Sequence, residues 1–179
     1  MSWKIKSVKE IFSSKIFKFR SEECINEEGK IVPNYYIFSP GDWVQIIPFV
    51  SQNELLVVEQ YRHGRGKVYT EFPGGVVDPG EEPLAAAQRE LLEECGYASD
   101  DVVYLGSQDP NPAFLDNQLH VFYARNCKKV SEQNLDEFEV IQVKTVSLNE
   151  LDKIVSKKGH HSLFLSTYFT FKNFLDKEV

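Results

Sequence analysis

The 179-residue sequence predicts an α/β (α+β) protein: a mixed β-sheet held between helices, an α/β/α sandwich, preceded by a small N-terminal antiparallel β-sheet. Three observations carry that expectation. Two-residue alternation and β-forming residues dominate the first 40 positions and recur through the middle of the chain. A loop rich in glycine and proline runs straight into an amphipathic helix. Two further helical stretches close the sequence.

Taken in order, Trp3 to Phe38 reads as antiparallel strands. Ile16 to Arg20 alternates apolar and basic side chains, Glu27-Glu28-Gly29-Lys30 is a hairpin turn, and Ile31 to Phe38 is rich in β-formers. Lys4, Lys6, Lys15 and Lys18 blunt an exposed edge. So small a sheet is marginal alone and calls for packing on the main domain or a second subunit. The expected division is therefore residues 1–40 as an N-terminal sheet and 41–179 as the main domain. In the latter, Asp42 to Pro48 and Leu55 to Val58 are apolar strands, the second leading into Gln60-Tyr61-Arg62-His63-Gly64-Arg65-Gly66. Val102 to Gly106 and His120 to Ala124 are further strands, separated by a proline-stiffened loop from Asp109 to Asn117. Phe138 to Val146 alternates and is expected to be a strand. Ser147-Leu148-Asn149-Glu150 is a capping box that opens a helix stopped by Gly159, and Ser162 to Asp176 is a final apolar helix. Its stripe of Phe164, Tyr168, Phe171 and Phe174 is core or subunit contact.

Composition excludes several classes. With 42% hydrophobic and 26% charged residues, the chain is ordinary for a globular domain. A net charge of −7 argues against general binding of nucleic acid or anionic membranes, but not against a phosphorylated substrate whose charge bound metals offset. Cys24, Cys95 and Cys127 are odd in number and widely spaced, so they indicate neither a disulfide framework nor a zinc site. The opening stretch MSWKIKSVKEIF lacks a signal-peptide core, and no run is long enough to span a bilayer, so a reducing cytoplasm is the expected setting.

The chain is organised around Glu71 to Tyr97. Pro73-Gly74-Gly75 and Asp78-Pro79-Gly80 punctuate a loop, Pro83 suits the first turn of a helix, and Gly96 suits its left-handed stop. At about 100° per residue, Glu93 and Glu94 fall on either side of Glu90. Ala86 and Ala87 share that front, so nothing bulky screens the acids, while Leu84, Leu91, Leu92 and Cys95 are expected to point into the core. Arg89, one turn before Glu93, is the neighbouring cation that steadies it. Three acids beside a backbone loop suit a hard divalent cation, foremost Mg²⁺, with Mn²⁺ as a substitute. Arg62 is a candidate phosphate clamp, because a guanidinium fork matches phosphate oxygens. Trp43, Tyr35, Phe17 and Phe19 are either base-stacking or core aromatics.

Gly75, five residues, Glu81, seven residues, Arg89-Glu90-Leu91, one residue, Glu93-Glu94, one residue, Gly96 and Tyr97 together resemble the Nudix box at every polar position. Tyr97, where the family usually has an aliphatic residue, is the one departure. The resemblance implies a hydrolase of nucleoside diphosphates linked to another moiety, built on a loop–helix–loop at 75–97. It implies that Glu90, Glu93 and Glu94 bind metal with the Gly74 carbonyl, and that Gly75, Glu81, Arg89 and Gly96 hold the box in shape. The N-terminal strands, Gln60–Arg62, Glu71–Gly75 and Pro112 past the box are similar to the branch that cleaves ADP-ribose and nucleotide sugars. That branch implies a homodimer joined through residues 1–40, with Pro112 in the substrate loop. It also implies a catalytic base on the loop before a late strand: Glu137 first, Glu139 second, with a box glutamate such as Glu93 behind them. Dinucleoside polyphosphate, coenzyme A and triphosphate hydrolases, or a Nudix-like binding module, are the alternatives.

Overall fold

The computed structural model describes residues 3–178. The chain forms two compact units, Met1–Asp42 with Gln108–Gln118, and Trp43–Ser107 with Leu119–Val179.

The first unit is an antiparallel sheet of β1 (Lys4–Ser13), β2 (Lys18–Ile25) and β3 (Ile31–Ser39), in that order. The β2–β3 turn closes where Gly29, at φ +78, donates to the Asn26 carbonyl, and the Asn26 side chain accepts from the N–H groups of Glu28 and Lys30. One face is aromatic: Phe19 stacks on Phe38 with ring centroids 4.4 Å apart, and Phe17 tilts against the same ring at 5.4 Å. The proline loop is tied to this sheet. Arg20 and Ser39 both donate to the Asp116 carboxylate, at 2.8 and 2.6 Å, and the Phe38 N–H donates to the Phe114 carbonyl. Glu27 to Lys30 form the expected turn, and Tyr35, Phe17 and Phe19 all lie in this unit.

The second unit contains β4 (Trp43–Pro48), β5 (Glu54–Arg62), β6 (Lys67–Glu71), α1 (Pro83–Cys95), β7 (Tyr97–Ala98), β8 (Asp101–Gln108), β9 (Leu119–Arg125), β10 (Lys128–Lys129), β11 (Ile141–Ser147), α2 (Leu148–Val155) and α3 (Ser162–Glu178). β4 runs parallel to β9, which is flanked on its other side by β8; β11, β5 and β6 form an antiparallel set; β7 pairs with β10. Strand alternation sorts the core into two layers. Val44, Ile46, Leu56, Val58, Phe122 and Ala124 pack against Ala86, Ala87, Leu91 and Cys95 of α1. Ile47, Leu55, Val57, Leu119 and Val121 pack on the opposite side against Leu151 of α2 and Phe164, Tyr168 and Phe171 of α3. That is the predicted α/β/α sandwich. Ser147 and Glu150 make the predicted capping box, and a buried hydrogen bond from Thr167 to Gln45 (2.6 Å) pins α3 to β4.

Three details differ from the sequence reading. The strand expected from Phe138 begins only at Ile141; the Glu139 N–H turns back to the Asp136 carbonyl (2.9 Å), leaving Phe138 90% exposed. The helix expected to reach Gly159 ends at Val155. The front of α1 that carries Ala86 and Ala87 faces inward, with both alanines 0% exposed, whereas Leu84 and Leu92 are 43% and 40% exposed. The small alanines let the helix lie close to the sheet, which larger residues on that side would prevent.

Candidate active site

The glycine loop between β6 and α1 runs beside β4. The N–H groups of Val44 and Ile46 donate to the carbonyls of Gly75 and Pro73, each at 2.9 Å, so the Gly74 carbonyl between them points elsewhere and takes no donor among the described residues. Contact here is too close for a side chain: a Cβ on Gly74 would lie 2.1 Å from the Val44 carbonyl oxygen. One on Gly75 would lie 2.3 Å from Oε1 of Glu90. Gly96, at φ +74, closes the helix by donating to the Leu92 carbonyl.

Arg89 organises the acids. Its Nε and Nη2 form a fork on Glu81 (3.0 and 2.9 Å), Nη2 also donates to the Val76 carbonyl (3.0 Å), and Nη1 reaches Glu90 (2.8 Å) and Glu93 (3.1 Å). Glu81 in turn accepts from the Asp78 N–H, tying loop to helix, and the Arg89 fork holds its carboxyl below the usual range. Glu94 stands apart from this clamp. It is 4% exposed, accepts from the Gly74 N–H at 3.0 Å, and burial pushes its carboxyl up to about 8, with Glu90 and Glu139 adding to the rise. Burial also raises Glu90, against the pull of Arg89.

Arg62 lies on the same side, and its charge bears on Glu94 and Glu139. Its fork is taken, however. Nε and Nη2 each donate to Glu71 at 2.8 Å; Glu71 is 2% exposed, and His161 Nδ1 lies 3.5 Å from it. Donating to Glu71 strengthens the arginine's hold on its proton, and burial lowers the His161 pKa. Beyond Arg62, a cleft of about 540 Å³ is lined by Gln60, Asp136, Glu137, Phe138 and Glu139. Glu139 is half-buried and accepts from Gln60 Nε2 at 3.2 Å, while Glu137 is exposed.

The structure thus brings together Gly74, Gly75, Glu81, Arg89, Glu90, Glu93, Glu94, Arg62 and Glu139. Glu137 lines the same cleft but is exposed, and Pro112 belongs to the other unit. Trp43 packs at the α2–α3 layer. Sequence reasoning missed Glu71 as the partner of Arg62, although it heads the Glu71–Gly75 stretch; opposite charges flanking one hairpin were the signal. Among the described residues, no three His, Cys, Asp or Glu side chains already converge as a metal cage. The donor set nonetheless fits a hard cation. Buried Glu94 faces the like charges of Glu90 and Glu139 with few local positive groups to offset them, and the Gly74 carbonyl is available beside it.

The NUDIX domain family matches residues 41–165, spanning the glycine loop, the acidic helix and the cleft. The chain belongs to the Nudix family. The family acts on phosphorus-containing anhydrides, and this Nudix protein is a hydrolase. It is similar to a Bacillus methanolicus protein named methanol dehydrogenase activator, 31% identical over 150 residues, 83% of this chain and 80% of that protein. It is 30% identical to an ADP-ribose pyrophosphatase of Bacillus subtilis (strain 168) over 150 residues, 83% of this chain and 80% of the relative. A crystal structure of an ADP compounds hydrolase shares the fold, with a TM-score of 0.86 over 99% of this chain and 96% of that one at 22% identity.

Replacing Gly75 by alanine tests the closeness of loop and helix in this Nudix hydrolase. The atoms nearest the added methyl are those of the flexible Glu90 carboxylate, so the protein should fold with a near-normal melting temperature. Displacing that carboxylate should slow turnover roughly 10²-fold. Wild-type turnover in the variant would contradict the packing described.

Proposed function

We propose that this chain hydrolyses the pyrophosphate bond of ADP-ribose or a related nucleoside diphosphate sugar, releasing a nucleoside monophosphate and a sugar phosphate. One observation carries the reading: an intact set of box acids, Glu90, Glu93 and Glu94, held by Arg89 and the Gly74 loop beside a cleft that carries Glu139. The similarity to an ADP-ribose pyrophosphatase supports the substrate class. Glu90, Glu93, Glu94 and the Gly74 carbonyl would hold Mg²⁺, or Mn²⁺ in its place, which when bound neutralises diphosphate charge and acidifies a water.

The chain's own residues account for the rest. Glu139, steadied by Gln60, takes the proton as the water oxygen attacks one phosphorus and the bridging P–O bond breaks toward the other phosphate. We assign the base to Glu139 rather than the first-favoured Glu137, because Glu139 is half-buried and held by Gln60 while Glu137 is exposed, and the Glu139 charge adds to the rise of Glu90 and Glu94. Arg62 adds positive charge at the mouth while its fork stays on Glu71. Residues 1–40 supply the dimer contact in this reading, supported by β1, which is exposed along its length with apolar Ile5, Val8 and Phe12 uncovered. A cytoplasmic setting accords with three buried free cysteines.

The test is incubation with ADP-ribose, ADP-glucose, GDP-mannose, diadenosine polyphosphates, coenzyme A and nucleoside triphosphates in Mg²⁺ or Mn²⁺, with products resolved by chromatography. AMP and ribose 5-phosphate from ADP-ribose are expected. No release from any sugar diphosphate would overturn the proposal. A second reading, action on a partner enzyme, rests on the relative named as an activator. The undamaged acids favour hydrolysis over it.

A further inference from the structure

A helix ends with backbone carbonyls that have no partner within the helix. At the end of α1 two of these, with the carbonyl of the capping Gly96, are gathered by one distant segment. The Val130 and Ser131 N–H groups donate to the Gly96 carbonyl (2.8 and 3.1 Å), and the Asn134 N–H donates to that of Glu93 (2.9 Å). The approach is so close that a Cβ on Gly96 would lie 2.2 Å from the Ser131 carbonyl oxygen. Between these backbone contacts, the Gln133 side chain does something different. Its Nε2 donates both to the carbonyl of Glu94 (2.6 Å) and to that of Ile141 (3.2 Å), the first residue of β11.

Those two carbonyls belong to the two bodies whose spacing matters for the reaction. Glu94 is a box acid, and Ile141 ends the loop that carries Asp136, Glu137 and Glu139. The ends of the loop have other holds: the Asn134 N–H on the Glu93 carbonyl, Leu135 on the core, and Ile141 in the pairing with β5. None of these is a side chain joining α1 to β11. At the tip Glu137 and Phe138 are exposed, and a single turn from Glu139 to Asp136 shapes it. Gln60 steadies the Glu139 carboxylate but does not fix the loop's base. We infer that Gln133 is a positioning residue: one amide closes the base of the acidic loop onto the end of α1 and so keeps Glu139 in register with Glu90 and Glu94. The inference rests on Glu139 being the base, as proposed above. It adds a residue that touches neither substrate nor metal, at a place where displacement by about 1 Å is worth roughly 10²-fold in rate.

Steady-state kinetics on ADP-ribose with Gln133→Met, Gln133→Lys, Glu139→Gln and the Gln133→Met/Glu139→Gln double variant test this. Gln133→Met, of similar length without a donor, should lower kcat roughly 10- to 100-fold with KM little changed. Gln133→Lys, which keeps a donor of similar reach, should recover most of the loss. Since Gln133 acts through Glu139, the double variant should be no slower than Glu139→Gln alone. Should Gln133→Met not fold, Gln133→Asn, an amide one methylene too short, takes its place. Wild-type kcat in the Gln133 variants, or losses that multiply in the double variant, would overturn the positioning role. Wild-type turnover in Glu139→Gln alone would instead sink the base assignment on which it stands.

Discussion

Glu94→Gln is expected to stop hydrolysis while making the metal-free protein more stable. The carboxylate is 4% exposed, and burial among like charges pushes it up to about 8. Glutamine keeps an oxygen for the Gly74 N–H, so the loop need not move. It removes a carboxyl that the folded apoprotein can ionise only at a cost, and it removes a proposed cation ligand. The expected loss in kcat is roughly 10³-fold, the upper worth of one charged group aimed at a reacting centre. The pH dependence has a definite sign. A carboxyl whose folded pKa lies above its ordinary 4.5 contributes stability that is complete below about 4.5 and is lost as pH rises through about 8. The metal-free wild type should therefore lose on the order of a few kcal/mol of stability between pH 5 and 8 and melt at falling temperature. Mg²⁺ should reverse this fall by binding the ionised form. Glu94→Gln should flatten both effects. Melting curves across pH with and without Mg²⁺, beside a turnover assay, are the measurement; an active Glu94→Gln enzyme with wild-type metal response would refute the assignment.

Glu139→Gln should lower kcat by roughly 10²–10⁴, the range for loss of a general base, while Glu137→Gln stays near wild type. Gln60 can donate to an amide oxygen at position 139 as it does to the carboxylate, so the variant isolates the proton acceptor from the fold. The pH profile adds a check: the acidic limb of kcat should vanish in Glu139→Gln and persist in Glu137→Gln. The reverse pattern would return the role to Glu137.

The two glutamates show where sequence reading stopped. The family resemblance put the base before the late strand, and Glu137 came first because that strand was expected to start at Phe138; it starts at Ile141, so both glutamates precede it. The turn from Asp136 to Glu139 and the contact with Gln60, 79 positions away, set them apart: Glu139 is half-buried and held, Glu137 is exposed. The helix face shows the same limit. Angular spacing placed Glu90, Glu93 and Glu94 together, yet it could not say that the alanine side turns inward and leaves Leu84 and Leu92 outside. Arg62 was singled out for its fork, but the fork closes on Glu71 across the β5–β6 hairpin.

What the sequence determined alone was everything set within one short stretch of chain: the glycine loop, the helix and its stop, the spacing of the acids, the capping box, and from these the family and fold. Such features are local, because turn geometry and the 3.6-residue helical period translate position directly into direction. Only the tertiary structure decided which acid is buried enough to resist ionisation, which glutamate of the late loop meets Gln60, and which amide joins the end of α1 to the start of β11. Burial and pairing depend on segments tens of residues apart meeting in space, and no period in the sequence encodes that meeting.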